Sequence, residues 1–385
     1  TRPALHNRHT PVNQSGASVL STANRSDRAV TIWLLVVCGL IMFLVAFGGF
    51  VRLTRSGLSI VEWNPISGVV PPIGHDAWVE EFAKYQLTPE YQKVNVGMTL
   101  AEYQEIFVIE YLHRLIARFA GLVVAIPLLW FLWKGMLPRG QRWRYILVGL
   151  LFAVQGALGW YMVSSGLVDR PTISHFRLTA HLLLALTVLA IAFRLALDRL
   201  YGQPQRSPGG RGSAYWLSVA VIAVVVVQIA YGGLVAGLKA GHISNTWPLM
   251  FGYLAPPGLF TAAGAWTKSV LTAPATVQFI HRWLAFAVLA ISLGLWWSAR
   301  RHAWDATVRR ASLLLVGLVS FQIVLGICVV LLGVPLVIAL AHQITAMLTF
   351  MAALYLNHRL AALPTRAALP SQVSPPLPVD ERAPA

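Results

Sequence analysis

Four histidines, His113, His181, His281 and His342, stand where residue type and spacing could do chemistry. Each lies inside an apolar run, where an ionisable group is costly and is usually kept for function. They come in pairs: His113-Arg114-Leu115-Ile116-Ala117 recurs as His281-Arg282-Trp283-Leu284-Ala285, and Ala180-His181 recurs as Ala341-His342. Neutral imidazole is a strong axial ligand for haem iron. Two imidazoles from facing helices would clamp a planar macrocycle, and this pattern points to bis-histidine haem. Zinc fits less well, because no cysteine or carboxylate completes a four-ligand set. One such histidine alone would be read as an interhelical hydrogen-bonder, but a repeated pair is not explained that way. The other histidines read differently. His6, His9, His302 and His358 fall in tails or basic loops and read as solvated. His75 and His242 fall in loops, and His175 stands at the mouth of the helix that carries His181.

The elements that must position these residues are membrane helices. The chain has 385 residues, 57% of them hydrophobic and only 11% charged. A soluble chain of this length would need more charge to cover its surface. Apolar runs at about 30–51, 111–133, 144–166, 176–197, 214–236, 277–299, 311–333 and 335–357 each have roughly the 20 residues a bilayer core requires. Helices satisfy the backbone of such runs in lipid. Gly333-Val334-Pro335 reads as a tight turn between the last two. Cys38 and Cys328 lie inside apolar runs, which argues against a loop disulfide or a zinc site.

A net charge of +16 raises the possibility of nucleic acid as a partner, and the placement of the charges excludes it. The basic residues cluster between alternate runs: Arg2, Arg8, Arg25 and Arg28; Lys134, Arg139, Arg142 and Arg144; Arg194, Arg199, Arg206 and Arg211; Arg300, Arg301, Arg309 and Arg310; His358, Arg359 and Arg366. The positive-inside rule makes that side cytoplasmic, or the matrix in a mitochondrion. The acidic loop with Glu62, Asp76, Glu80, Glu81, Glu90, Glu102 and Glu105 lies on the other side. Both termini are then cytoplasmic, every even-numbered helix starts at the outer face, and the four histidines share one depth.

The chain also repeats itself. Gly48-Gly49-Phe50-Val51 recurs 184 residues later as Gly232-Gly233-Leu234-Val235, and the same offset pairs Trp63 with Trp247. Gln155 and Leu158-Gly159 match Gln322 and Leu325-Gly326. Four helices per half is an even number, so the halves share one orientation and a pseudo-two-fold axis along the membrane normal. The expected fold is an all-α integral membrane protein of eight transmembrane helices in two such four-helix bundles. Residues 30–197 form the first bundle, 198–213 a cytoplasmic linker and 214–357 the second. The segments 1–29 and 358–385 read as disordered cytoplasmic tails.

Arginines accompany the histidines. Arg52, Arg55, Arg114, Arg118, Arg177 and Arg282 lie on the outer side, against the positive-inside pattern. Haem propionates near that surface would pair with guanidinium forks. Snorkelling to lipid headgroups is the simpler account of Arg52 and Arg55. The halves differ at one telling place: Glu110 stands three residues before His113, and Gln278 three before His281. Both side chains fall on the histidine's helix face. Only the first half has a carboxylate there. It could hydrogen-bond water, move protons or stabilise developing positive charge, or it could cap the second helix at its N-terminus.

These stretches resemble the haem A synthase family. The resemblance is carried by GGFVRLTRSGLSIVEWNPISGVVPP, EYLHRLIAR, QGALGWYMVSSGL, FRLTAH, GGLVAGLKAGHISNTWPLM, VQFIHRW and AHQ, over about residues 30–357. It implies two four-helix bundles and oxidation of the C8 methyl of haem O, through successive hydroxylations, to the formyl of haem A for cytochrome oxidase. It implies His113, His181, His281 and His342 as iron ligands and Glu110 as the family's acidic residue. The first outer loop lacks the cysteine pair found in many bacterial members, like the mitochondrial and proteobacterial branch. The expected arrangement is haem O and the catalytic Glu110 in the first half and a resident haem b in the second. Expected partners are a haem O synthase, the cytochrome oxidase assembly machinery, an electron carrier and the lipid bilayer. Exposed apolar faces allow a homo-oligomer. A bacterial inner membrane is the expected location, ahead of the mitochondrial one. A bis-histidine electron-transfer cytochrome and a haem transporter or chaperone are the alternative readings.

Overall fold

The computed structural model describes residues 15–168, 171–204, 212–302 and 304–362. Among these residues the regular elements are helices, with one isolated bridge between Met250 and Tyr253. Eight helices are long and apolar enough to cross a membrane, which makes this a multi-pass membrane protein. They are α1 (Ser15–Leu53), α2 (Leu100–Trp133), α3 (Arg142–Ser164), α4 (His175–Tyr201), α5 (Ser213–Gly237), α6 (Pro274–Arg301), α7 (Ala306–Leu331) and α8 (Leu336–Ala361). Gly333 makes the turn between α7 and α8 at φ 71°. Residues 1–14 and 363–385 lie outside the described residues. The expected tail boundary at 29 is nonetheless corrected, because α1 already runs from Ser15.

Packing follows chain order. α1 packs on α2, α2 on α3, α3 on α4 and α4 back on α1. α5, α6, α7 and α8 close a second ring in the same way. Diagonal helices, α2 with α4 and α6 with α8, are not packed pairs among the described residues. Those diagonals carry the four histidines, whose side chains therefore reach across the ring interior. The rings meet where α4 packs on α5 and where α8 packs on α1 and α4.

Small residues allow that meeting. A Cβ on Gly237 of α5 would stand 2.6 Å from the Cα of His175, so α4 and α5 approach backbone to backbone. Gln343 of α8 lies against Gly49 and donates through Nε2 to the Val45 carbonyl at 2.6 Å. Gly237→Ala should therefore destabilise the chain by about 1–3 kcal/mol, since backbone cannot swing aside as a side chain can. Gly294, with nothing within 4 Å of its Cβ position, provides the contrast. Alanine there should be neutral or stabilising by up to about 1 kcal/mol. Thermal midpoints in detergent check both; equal midpoints for the two variants would contradict the close crossing.

The end of the molecule that carries the 54–99 loop has a core of its own. Tyr85, Tyr103 and Phe107 are buried together, with Trp78, Phe82 and Tyr91 packed around them. Tyr85 and Tyr103 stack with centroids 4.9 Å apart. This core holds α2 well beyond the expected start near residue 111. Thr99 caps it reciprocally: its Oγ1 accepts from Glu102 N at 3.3 Å, and Glu102 Oε2 accepts from Thr99 N at 2.8 Å. At the opposite end, Lys134 lies over the Trp130 and Trp133 rings, and Arg300 and Arg301 lie over Trp296 and Trp297. Basic and aromatic side chains together at one depth are the composition of a membrane interface.

That opposite end corrects the reading of His358 as solvated. The residue is 1% exposed and its Nε2 lies 3.0 Å from Asp198 Oδ1. Arg194 Nε donates to the same oxygen at 3.2 Å, and Arg144 lies 3.8 Å from Oδ2. Arg199 pairs with Asp27. α8 continues through His358 to Ala361, one turn past the expected end, because Asp198 offers its last turn a partner.

Candidate functional site

Each of the four histidines has its ring over a glycine on the neighbouring odd-numbered helix. A Cβ would stand 3.2 Å from His113 Nε2 if placed on Gly48 and 3.1 Å from His181 Cε1 if placed on Gly159. On Gly232 it would stand 3.3 Å from His281 Cε1, and on Gly326 3.0 Å from His342 Cε1. A side chain at any of these positions would crowd the imidazole, so glycine is what lets the ring edge approach the helix this closely. α1, α3, α5 and α7 thus each supply a socket, and α2, α4, α6 and α8 each supply a ring.

In the second half the sockets bring the two rings together. The His281 and His342 centroids are 6.3 Å apart, with planes at 77°. Two metal–imidazole bonds of about 2 Å each, with the ring radii added, separate ring centres by about 6 Å. That separation is wide enough for an iron ion between the two rings. His181 is close enough to His113 for the two to interact electrostatically. Nδ1 of His181 and Nδ1 of His342 are buried without a hydrogen-bond partner. Leaving such an atom unpaired costs about 1–3 kcal/mol, which suits a site built for a ligand.

Beside His113 the Glu110 carboxylate is fully engaged. Its Oε2 accepts from Ser59 N at 2.8 Å, Ser59 Oγ at 2.7 Å and Ile60 N at 3.0 Å. Its Oε1 accepts from Arg114 Nε at 3.0 Å and Nη2 at 2.6 Å. The helix-cap reading of Glu110 is overturned. The N-terminus of α2 lies at Leu100, more than about two turns away, and Thr99 already caps it. His113 likewise lies more than about three turns into α2, whereas His181, His281 and His342 come within about two turns of their helix starts.

The second half repeats this geometry with one change. Arg114 donates to the carbonyls of Ile60 at 3.1 Å and Glu62 at 3.3 Å. Arg282 donates to those of Ser244 and Thr246, each at 2.9 Å. The 184-residue register pairs these carbonyls one for one. It also pairs Arg55 with Lys239, and both hold the left-handed conformation, at φ 57° and 52°. In place of the carboxylate, Gln278 Nε2 donates to the Ser244 carbonyl at 3.2 Å. Gln278 Oε1 and Arg282 Nε are then left buried without partners.

Of the remaining arginines, Arg118 holds a loop, and Arg177 and Arg52 hold the ends of neighbouring helices. Arg118 donates to the carbonyls of Pro65 and Asn64 at 2.9 and 2.8 Å. Arg177 donates to the Tyr161 carbonyl at 2.7 Å and lies over the Tyr161 ring. Arg52 reaches the second half at the Ala236 carbonyl, 3.3 Å away, so headgroup snorkelling does not describe it. Arg114 and Arg118 also line a cleft of about 270 Å³ under the 60–72 segment, with Glu62, Glu81 and Tyr111.

Two groups of site residues were not read as such from the sequence, although Gln155 and Gln322 already stood out as matches of the repeat. Ser59 anchors the Glu110 carboxylate from the loop, and nothing local marks it. Gln155, Gln228 and Gln322 each touch a histidine, through Nε2 to the main-chain carbonyls of His181, His281 and His342 at 3.0, 3.0 and 2.9 Å. Each precedes a socket glycine by four residues, a spacing that could have revealed all three.

Comparison with known proteins places the chain in a family. Residues 31–354 match the COX15-CtaA family, described as cytochrome oxidase assembly protein. A heme A synthase of Nitrosospira multiformis is 44% identical over 335 residues, 87% of this chain and 94% of that protein. A heme A synthase of Brucella ovis is 43% identical over 328 residues, 85% of this chain and 90% of that protein. With a match over nearly all of the membrane-spanning part and relatives of this closeness, the chain belongs to the COX15-CtaA family of cytochrome oxidase assembly proteins.

Proposed function

We propose that the chain is a haem A synthase that oxidises the C8 methyl of haem O to the formyl of haem A, with its two halves doing different work. His113 and His181 hold the substrate, haem O. His281 and His342 hold a resident haem b, which when bound supplies one-electron chemistry. The halves are related by a pseudo-two-fold axis along the membrane normal, both termini are cytoplasmic, and the membrane is a bacterial inner membrane. A haem O synthase supplies the substrate, an electron carrier takes up the reducing equivalents, and the product goes to cytochrome oxidase assembly.

The observation that carries the division of labour is the exchange of a buried carboxylate for an amide beside otherwise matching histidines. Glu110 accepts five donors, which occupies the roughly four lone-pair directions of a carboxylate. Proton transfer would need one of those directions free. The role that fits is a fixed negative charge next to His113, positioned by Ser59, Ile60 and Arg114, that stabilises positive charge developing at the substrate carbon. At the second site Gln278 brings no charge, which suits a cofactor that is held rather than altered. The unpaired Nε of Arg282 suits a carboxylate of that cofactor.

Pigment extraction tests the proposal. The full chain, expressed with haem O supplied, should yield haem A or its hydroxylated precursor. Recovery of unmodified haem alone would reassign the protein to electron transfer or haem transport.

A further inference from the structure

The four histidine sockets are not equal. Gln155, Gln228 and Gln322 stand one helical turn before Gly159, Gly232 and Gly326, on the same helix face. Besides gripping the histidine main chain, Gln155 Nε2 lies 3.3 Å from His181 Nε2, and Gln228 Nε2 lies 3.2 Å from His281 Nδ1. These amides restrain the backbone behind the ligand and, at two sites, the ring itself. At the fourth socket, one turn before Gly48, the residue is Leu44. It has no amide to offer, so the His113 ring keeps only a contact with the Leu44 main chain, of the kind His281 and His342 also make with Gln228 and Gln322 in addition to their amide clamps. The ring also borders Phe47, with centroids 5.8 Å apart, and Phe47 continues to Phe43, which is half exposed on the surface of α1.

We propose that His113 is the exchangeable iron ligand, released and remade in each catalytic cycle, and that Gln155, Gln228 and Gln322 are positioning residues that keep the other three ligands in place. This rests on the reading of the first half as the substrate site. An enzyme whose substrate is itself a macrocycle must admit it and let the product go, whereas a resident cofactor needs neither. The bond that breaks is the dative bond from the imidazole nitrogen to iron. Its electron pair stays on nitrogen, no oxidation state changes, and the vacated position goes to water or another neutral ligand. The missing clamp falls in the same half as Glu110, so two independent departures from the repeat single out one site.

The test uses the full chain, purified in detergent with both sites loaded and reduced, carbon monoxide as the probe for a vacated position, and apomyoglobin as the acceptor for departing haem. Wild-type protein should bind carbon monoxide at one of its two haems and release that haem at least about tenfold faster than the other, the ratio expected from the loss of one hydrogen-bonded clamp. Leu44→Gln should reduce both the carbon monoxide signal and the fast release by about that factor. The reciprocal Gln228→Leu should make the second haem carbon monoxide-reactive, and it decides the matter even if Leu44→Gln does not fold. Two equally inert haems in the wild type, or an unaltered second haem in Gln228→Leu, would overturn the inference. Continued haem A formation in those preparations would show that only the exchange idea had failed. Wild-type protein that makes no haem A would instead remove the functional reading beneath it.

Discussion

Glu110→Gln is expected to lower haem A formation by about 10²-fold or more, the usual scale for removing a preorganised charge from a reacting centre, while the second-half haem stays bound. Glutamine keeps the shape of the side chain but has one acceptor oxygen and one donor amide. It can satisfy either Ser59 and Ile60 or Arg114, but not both. The variant should therefore also lose about 1–3 kcal/mol of stability from the donors left facing an amide. Ser59→Ala separates the two effects. It removes one of the three hydrogen bonds to Oε2 and leaves the charge in place. If the charge matters, Ser59→Ala keeps most of the activity at a modestly lower melting temperature. If Glu110 only tethers the loop, activity falls in both variants in proportion to stability. Extracted pigment and thermal midpoints, taken on the same preparations, tell these outcomes apart. Full activity in Glu110→Gln would end the assignment.

His342→Ala is expected to remove one haem per chain without unfolding the protein. The clamp from Gln322 is to the main-chain carbonyl of His342, and alanine retains that carbonyl. The socket glycine loses its ring, but α7 and α8 keep the rest of their packing. His181→Ala should act on the other haem, because Gln155 also bonds a main-chain carbonyl there. Haem content per chain should fall from two to one in each variant. The first should keep the substrate haem and lose the resident one, and the second should show the reverse. Two haems in either variant, or none in both, would contradict the separate pairing of His113 with His181 and His281 with His342.

Much of this was legible in the linear sequence. The spanning helices follow from apolar length, which is a local property. The pairing of His113 with His281 and His181 with His342 follows from a repeat that copies residues along with their surroundings. The same repeat exposed Glu110 against Gln278. The helix ends were less legible. α2 starts at Leu100 because an aromatic cluster drawn from three segments supports an extension that apolar counting does not register. His358 is buried because Asp198, 160 residues away in the chain, meets it at the end of the bundle.

The chemistry of the site divides along the same line. Which residues are available as ligands, and in which half a carboxylate stands, was determined by the sequence alone. What those residues are bonded to was decided by tertiary structure. Glu110 meets Ser59 across 51 residues, and Gln228 meets His281 across 53. Arg114, Arg118 and Arg282 hold loop carbonyls, and Arg177 holds a carbonyl near the end of α3. Such partners are set by helix packing, and a hydrogen bond depends on distances of a few tenths of an ångström that spacing along a chain does not encode.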